Sequence, residues 1–512
     1  MNIWIITTGS SDVQLKTNNN WNALRSKVRN KLETQKQFGE SKSKDGKRFL
    51  YPARAMGVVY GSAIENDPKH YEDLDFPLLN NFFCLLDRQE GRTEKIIIDR
   101  IIVIVTDQSE SFKRAKRNDP SSPYWQDTCT LQPILEKYLK EKSSRKPEFL
   151  VLDPDPKKSS GLDNWNDVLE RVQEKFKEKF SDPKDILEDT TIYVSHQAGT
   201  PAISSAVQFA SLARFGDRVQ FLVSNEQDET LTDIVESSTY LRGIKQEQAR
   251  KLLDRRDYAG VMVLLKPYLN PKRSEEKRIR SLLKAAIQWN LAKFRTFKRL
   301  LIPLGIAQES DFLWYWIGYE SGYLATVRLE QKDVVEALFH SFRASEGLIC
   351  NWAECKYSRH IEYNSKNAPQ LKETISQESE KLEAYWKETA KSNERWLKNP
   401  KNKHKSVGLF SSNLYKLFQC IYPESNKAPC MAIVWGSAKD ERNQQFHRLL
   451  GLTEKDLYQA WGTKDKSSWK NMVLSCLNFI AKEDLPNEFK SLEDASLMVK
   501  VHQELEKALS QL

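Results

Sequence analysis

The sequence predicts an α/β domain followed by an all-α one. Apolar runs rich in β-branched residues, at 1–8, 95–107, 149–152, 190–194 and 219–223, alternate with helical patterns through about residue 225. Three of these runs end in loops of small and polar residues: 7–12, 106–111 and 195–201. Beyond about residue 245 strand signals almost vanish and long helical patterns take over. Alternation of this kind implies right-handed βαβ units and a Rossmann-like parallel sheet covered on both faces.

Composition narrows the class. A chain of 512 residues is long enough for two or three domains. Thirteen tryptophans argue against disorder, and a net charge of +9 permits an RNA or phosphate partner without demanding one. Seven cysteines are scattered without a CxxC pair, and Cys350 and Cys355 stand alone at a spacing poor for zinc, so no metal site is expected. Reduced thiols in a cytoplasm are the simple reading. The first residues lack the charged start and cleavage site of a signal peptide. No stretch approaches the roughly 18 apolar residues of a membrane span, so no membrane partner is expected.

Taken in order, Met1–Thr8 reads as a buried strand ending at Thr7, Thr8, Gly9, Ser10, Ser11 and Asp12. Residues 18–48 are polar and basic, a helix followed by a loose charged loop. Leu74–Leu86 reads as a buried helix. Lys95–Asp107 is the strongest strand signal and ends in Thr106, Asp107, Gln108 and Ser109. Leu131–Leu139 reads as a helix and Phe149–Leu152 as a short strand. Trp165–Phe180 is an amphipathic helix with Trp165, Val168, Leu169, Val172 and Phe176 on one side.

The stretch 190–225 is a strand, a loop, a helix and a strand. Ile192, Tyr193 and Val194 lead into Ser195, His196, Gln197, Ala198, Gly199, Thr200 and Pro201. Pro201 suits a first helical turn, where its missing N–H costs nothing. Gly216 and Asp217 stop the helix before the strand Val219–Val223. The Gly-containing loop thus lies at the carboxyl end of a strand and the amino end of a helix, where open α/β sheets bind nucleotides and other anions. Loops after parallel strands share one sheet edge, so the three should converge. A plain strand-to-helix turn remains open for each of them.

Leu231–Gly243 reads as a short hairpin or an extended exit. Helical patterns follow at 247–269, 275–301, 311–328 and 332–355. Asn364–Lys405 is highly charged, part solvated helix or mobile loop. More helices are expected at 409–422, 440–450, 454–460, 469–481 and 492–509.

The 440–450 pattern holds Asp440, Arg442, Asn443 and His447. Asp440 suits an N-cap, placing Arg442 and Asn443 in a first turn that favours anions. Asn443 and His447, four apart, share a face. Arg442 lies about 140° round the helix from His447, within reach of a long side chain. Histidine can take either proton role near neutral pH, and arginine offers a charged fork to phosphate oxygens. An Arg at this spacing from a His also arises by chance, so the pair alone reads more readily as part of an ordinary surface helix.

A nucleotide-type sheet joined to a helical half with this Arg-x4-His element resembles the CRISPR-associated CARF–HEPN ribonucleases of type III immune systems. Thr8, Gly9, Ser10 and Ser11 resemble the first-strand loop of a CARF domain. His196 to Pro201 resemble its second ligand loop, with Ala198 in place of a frequent Gly. Arg343 and Glu346 resemble the helix that opens many HEPN domains. The resemblance implies a CARF-like sensor at 1–243, a helical connector at 244–330 and a HEPN-like ribonuclease at 331–512.

It further implies an antiviral endoribonuclease working as a homodimer. Its activator would be a cyclic oligoadenylate, a tetra- or hexa-adenylate ring. It would cut single-stranded RNA without a metal, by attack of the RNA's own 2′-hydroxyl. Arg442, Asn443 and His447 would be catalytic. Thr8, Gly9, Ser10, Ser11, Thr106, Asp107, His196, Gln197, Gly199 and Thr200 would bind the ligand. Some relatives also degrade their activator slowly, for which Ser11, Thr106 and His196 are suitable residue types.

Two other classes compete. The sensor could drive a non-catalytic output such as a transcription regulator, for which Arg273–Arg299 is basic enough, although Leu282, Leu283, Ala286, Trp289 and Phe294 look like packing residues. A metal-dependent nuclease needs an acidic residue and a Glu-x-Lys on adjacent strands. Glu354 and Lys356 fit the letters, with Asp333 or Glu346 upstream, yet residues 332–356 read as helix.

Overall fold

Alternation along the first strand, Asn2–Thr7 (β1), sends Trp4 and Ile6 to one face and Ile3 and Ile5 to the other, and all four are buried. A strand buried on both sides belongs in a covered parallel sheet. Five more strands complete it: Arg100–Thr106 (β2), Glu148–Leu152 (β3), Thr191–Ser195 (β4), Val219–Val223 (β5) and Asp233–Glu236 (β6). Their order is β6-β5-β4-β1-β2-β3, parallel throughout except for the antiparallel edge strand β6. The order reverses at β1, between β2 and β4, and crevices at such switch points hold ligands in doubly wound sheets.

This computed structural model describes residues 1–43, 46–87, 95–155, 161–182, 187, 189–224, 231–270, 272–398, 405–436 and 451–511. One face of the sheet is covered by helices Trp165–Lys179 and Pro201–Phe215, through Val168, Val172, Phe176, Ile203 and Val207. The other is covered by Ala53–Asn66, Pro77–Asp87 and Gln132–Ser143. Trp4 ties the faces to the strand order: its indole N–H donates to the Ser195 hydroxyl at 2.9 Å, joining β1 to β4.

The chain divides into two compact units, Met1–Gly243 and Ile244–Leu512. The second is helical with a single core. Its longest helix, Val334–Lys356, packs as a pair with Trp316–Glu330. A Cβ at Gly318 would meet Leu348 at 2.9 Å, so the absence of a side chain there sets how near the pair approaches. The core holds Trp289, Phe297, Tyr319, Phe342, Trp461 and Trp469. Residues 244–330, expected as a connector, share this core with the rest of the unit. Among the described residues no helix is long and apolar enough to cross a membrane.

Several expectations need correction. The 247–269 pattern is two helices, Ser237–Asp254 and Tyr258–Leu265, parted where Asp257 caps the second. The 275–301 pattern breaks after Asn290 and resumes at Phe294. Helix takes over from Ser237, so only Asp233–Glu236 of the 231–243 segment is extended. The charged 364–405 stretch is more ordered than its composition suggests. Pro369–Lys372 pairs with Ile361–Tyr363 and Ser406–Gly408, and helix Glu380–Ser392 buries Leu382, Tyr385 and Trp386. Trp165, placed on the buried side, is 56% exposed at the first position of its helix. Helix Ala53–Asn66 had no counterpart in the sequence reading.

Candidate functional site

The loops after β1 and β4 meet at the switch point. A Cβ on Gly9 would lie 1.9 Å from the Ala198 carbonyl oxygen, so only glycine permits this approach. The Gly9 N–H donates to the Asp12 carboxylate at 2.7 Å, and the Asp12 N–H returns to the Gly9 carbonyl. This closes the loop into a tight turn with Ser10 and Ser11 half-buried at its tip. Ser10 donates to Gln126 at 2.7 Å, and the Ser11 carbonyl accepts from Gln14.

Thr8 and Thr106 lie deeper and brace the edge. The Thr8 hydroxyl donates to the Ile104 carbonyl at 2.8 Å and pairs with Thr128. The Thr106 N–H donates to the Thr128 hydroxyl, and the Thr128 N–H to the Thr106 hydroxyl. Both hydroxyls therefore have partners inside the protein.

His196 has a defined proton. Its Nδ1 is 2.9 Å from the Ser204 hydroxyl, which lies 2.6 Å from the His196 carbonyl oxygen. A carbonyl only accepts, so the hydroxyl's one proton goes there and Nδ1 must donate. The lone pair is left on Nε2. Burial lowers the His196 pKa below its ordinary value, so the ring is neutral at pH 7. Gln197 is exposed and accepts from the Ser224 N–H at 2.7 Å, fixing the loop to the end of β5. Thr200 caps helix Pro201–Phe215, and Gly199 sits against Ile203, so the helix's amino end opens at this loop.

Asp107, at the end of β2, is held by Arg54. The guanidinium donates to Asp107 at 2.7 Å, to Asp127 at 2.8 Å and to the Tyr124 carbonyl at 2.9 Å, and it stacks on the Tyr124 ring. Burial alone would lower the Arg54 pKa, but the bonds to Asp127 and Asp107 outweigh it and raise it. Burial likewise pushes the Asp107 carboxyl up, yet Arg54 and the Ser109 N–H bring it below the usual range. Gln108 joins the cluster by donating its N–H and its side-chain amide to Asp127, while its side-chain oxygen accepts from the Leu162 N–H. Arg54, Asp127 and Thr128 were missed in the sequence. The available signal was a lone Arg54 in the apolar run 53–60, where a charge needs a buried partner.

No protein-family model matches this chain, and no curated protein does. A solved structure does. It is an Enterococcus italicus Csm6 bound to cyclic hexa-2′-fluoro-hexa-dAMP, at a TM-score of 0.53 and 13% identity over 99% of this chain and 100% of that one. The two chains share one fold. The likeness extends over both units, the parallel sheet and the helices after it.

In the helical unit, Arg442, Asn443 and His447 lie outside the described residues, as does the helix expected at 440–450. The flanking helices are Pro429–Trp435, which buries Cys430, Met431 and Val434, and Glu454–Ala460, which buries Leu457 and Tyr458. Both pack against Val334–Lys356. On that helix Arg343 is exposed and Glu346 half-buried. Glu354 and Lys356 stand at its carboxyl end, not on a strand, so the sheet that a restriction-type arrangement requires is missing at that motif.

Proposed function

We propose that the chain is an accessory endoribonuclease of a type III CRISPR system, switched on by a cyclic oligoadenylate. The whole-length likeness in fold to a Csm6 bound to a cyclic hexanucleotide carries this reading. The meeting of the loops after β1 and β4 at the switch point supports it. Residues 1–243 act as sensor and residues 331–512 as the HEPN-like ribonuclease, with 244–330 between them in the chain. Ser10, Ser11, His196, Gln197, Gly199 and Thr200 contact the ring. Thr8, Gly9, Thr106 and Asp107 hold the loops that do so. His196 Nε2, as an acceptor, suits the amino group of an adenine or a ribose hydroxyl.

The reaction needs no metal in this reading. The RNA 2′-oxygen attacks the adjacent phosphorus as a base removes its proton, and the 5′-oxygen leaves with a proton from an acid. His447 serves in these proton transfers. Arg442 stabilises the phosphorane charge, with Asn443 orienting the phosphate. A homodimer places two copies of each group around one phosphate. The test is cleavage of a labelled single-stranded RNA in EDTA, with no ring and with cyclic tetra- or hexa-adenylate. Activation by one ring, lost in His447→Ala, is the expected result. Cleavage that no ring stimulates, or that survives His447→Ala, overturns the reading.

A further inference from the structure

Two segments far apart in sequence form a basic surface beside the loop after β2. Residues 25–36 and 109–119 together carry nine Lys or Arg against three Asp or Glu. Lys27, Arg29, Lys31, Lys36, Lys113, Arg114 and Lys116 are exposed, and none has an ion-pair partner within 4 Å among the described residues. Like charges at this density repel, so the surface needs bracing, and the bracing is visible.

Thr34, buried, donates to the Asn118 carbonyl at 2.8 Å. Arg117 bridges the segments: it pairs with Glu33 at 3.3 Å and donates to the carbonyls of Phe112 and Ser109. Glu33, the acid best placed to neutralise the patch, is held by Arg117 and by the Tyr124 hydroxyl at 3.2 Å. Arg25 folds back onto the carbonyls of Gln35 and Lys36. The Asp119 carboxylate, bonded first to Ser121, also feels Lys36 and Lys116, one cation from each segment. The two rows of charge thus converge on one side.

The geometry points to a docking surface for the phosphates of single-stranded RNA on the first unit, separate from the switch-point loops. Flexible exposed lysines and arginines without acidic partners fit a phosphate chain by counterion release. No exposed aromatic lies among these residues, so binding should follow the backbone rather than the bases. Arg117 and Arg54 both stack on Tyr124, and Arg54 holds Asp107, so a bound strand would rest against the group that supports the loop after β2. This inference stands whether or not the chain cuts RNA.

The test is binding of a labelled oligouridine to the full-length chain over a range of salt. His447→Ala is present throughout to keep the strand intact. The triple variant Lys113→Glu, Arg114→Glu, Lys116→Glu should bind at least tenfold more weakly. Its slope of log affinity against log salt should fall by about 2, given roughly 0.7 per phosphate contact on a single strand. Lys113→Gln, Arg114→Gln, Lys116→Gln should lose the same slope, which covers a failure of the reversed charges to fold. Lys140→Glu, Lys142→Glu, Arg145→Glu changes net charge equally elsewhere on the unit and should leave the slope intact. Unchanged affinity and slope in the 113–116 variants overturns the proposal. So does an equal loss in the 140–145 control, which would make the effect one of net charge. Displacement of the oligouridine by cyclic hexa-adenylate at equimolar ring would also overturn it, by merging the patch with the switch-point loops.

Discussion

Ser204 matters because a hydroxyl has one proton to give. By giving it to the His196 carbonyl, it obliges the imidazole to hold its own proton on Nδ1. Ser204→Ala should leave the fold intact, free the ring to change tautomer, and weaken binding of the activating ring several-fold by calorimetry. Imidazole nitrogen shifts that show Nδ1–H in the wild type and a mixture in the variant would check the cause. Arg54 is a different case. Removing it strands Asp107 and Asp127, the latter 1% exposed. Arg54→Met should therefore cost about 3–5 kcal/mol in urea unfolding. Adding Asp107→Asn and Asp127→Asn should recover part of that, because the stranded charges go with them.

At the scale of elements, Gly9 is where two loops depend on one missing side chain. Gly9→Ala must move the Ala198 carbonyl or the first loop, at an overpacking cost of about 1–3 kcal/mol. Ring binding should drop tenfold or more while the circular dichroism of the sheet and helices is unchanged. Wild-type affinity in this variant would show that the meeting of these loops does not govern ligand binding. Much of this edge was legible beforehand. The strand runs and the small-residue loops are local signals, and parallel topology brings their ends together. Arg54, Asp127 and Thr128 were not legible in the same way. They belong to other elements, and only the folded sheet brings them to Asp107 and Thr106. Thr8 and Thr106 illustrate the converse: their residue type suits a phosphate, but packing turns their hydroxyls inward. Among the elements, single periodic patterns hid two helix breaks, because Asp257 and the 291–293 turn interrupt the backbone without interrupting the apolar stripe. The 361–408 sheet was missed because its strands are only three or four residues long, too short to show an alternating pattern.

Over the whole molecule, acid should weaken the fold through buried histidines of the helical unit. Burial, then Arg343 and Arg328, hold the His340 pKa down to about 4, although Asp333 pulls the other way. Burial and then Arg256 hold His502 to about 3. Both folded values lie below the unfolded value of about 6.5, so the unfolded chain takes up protons first. Stability is complete above about pH 6.5 and falls as pH drops towards 4, by on the order of 3 kcal/mol for each. Urea midpoints from pH 7 to pH 4 should show this decline, and His340→Gln with His502→Gln should flatten it. The position of β1 carries a consequence for synthesis on the ribosome. The strand translated first lies in the middle of the sheet, and its neighbour β4 emerges nearly two hundred residues later. Until then the Trp4 indole lacks Ser195, one edge of β1 is open, and Gly9 lacks the Ala198 carbonyl it packs against. A nascent chain therefore completes this sheet edge late, but still before the last helices leave the exit tunnel. An order of assembly in which the sheet closes before the helical unit is complete is built into the chain itself.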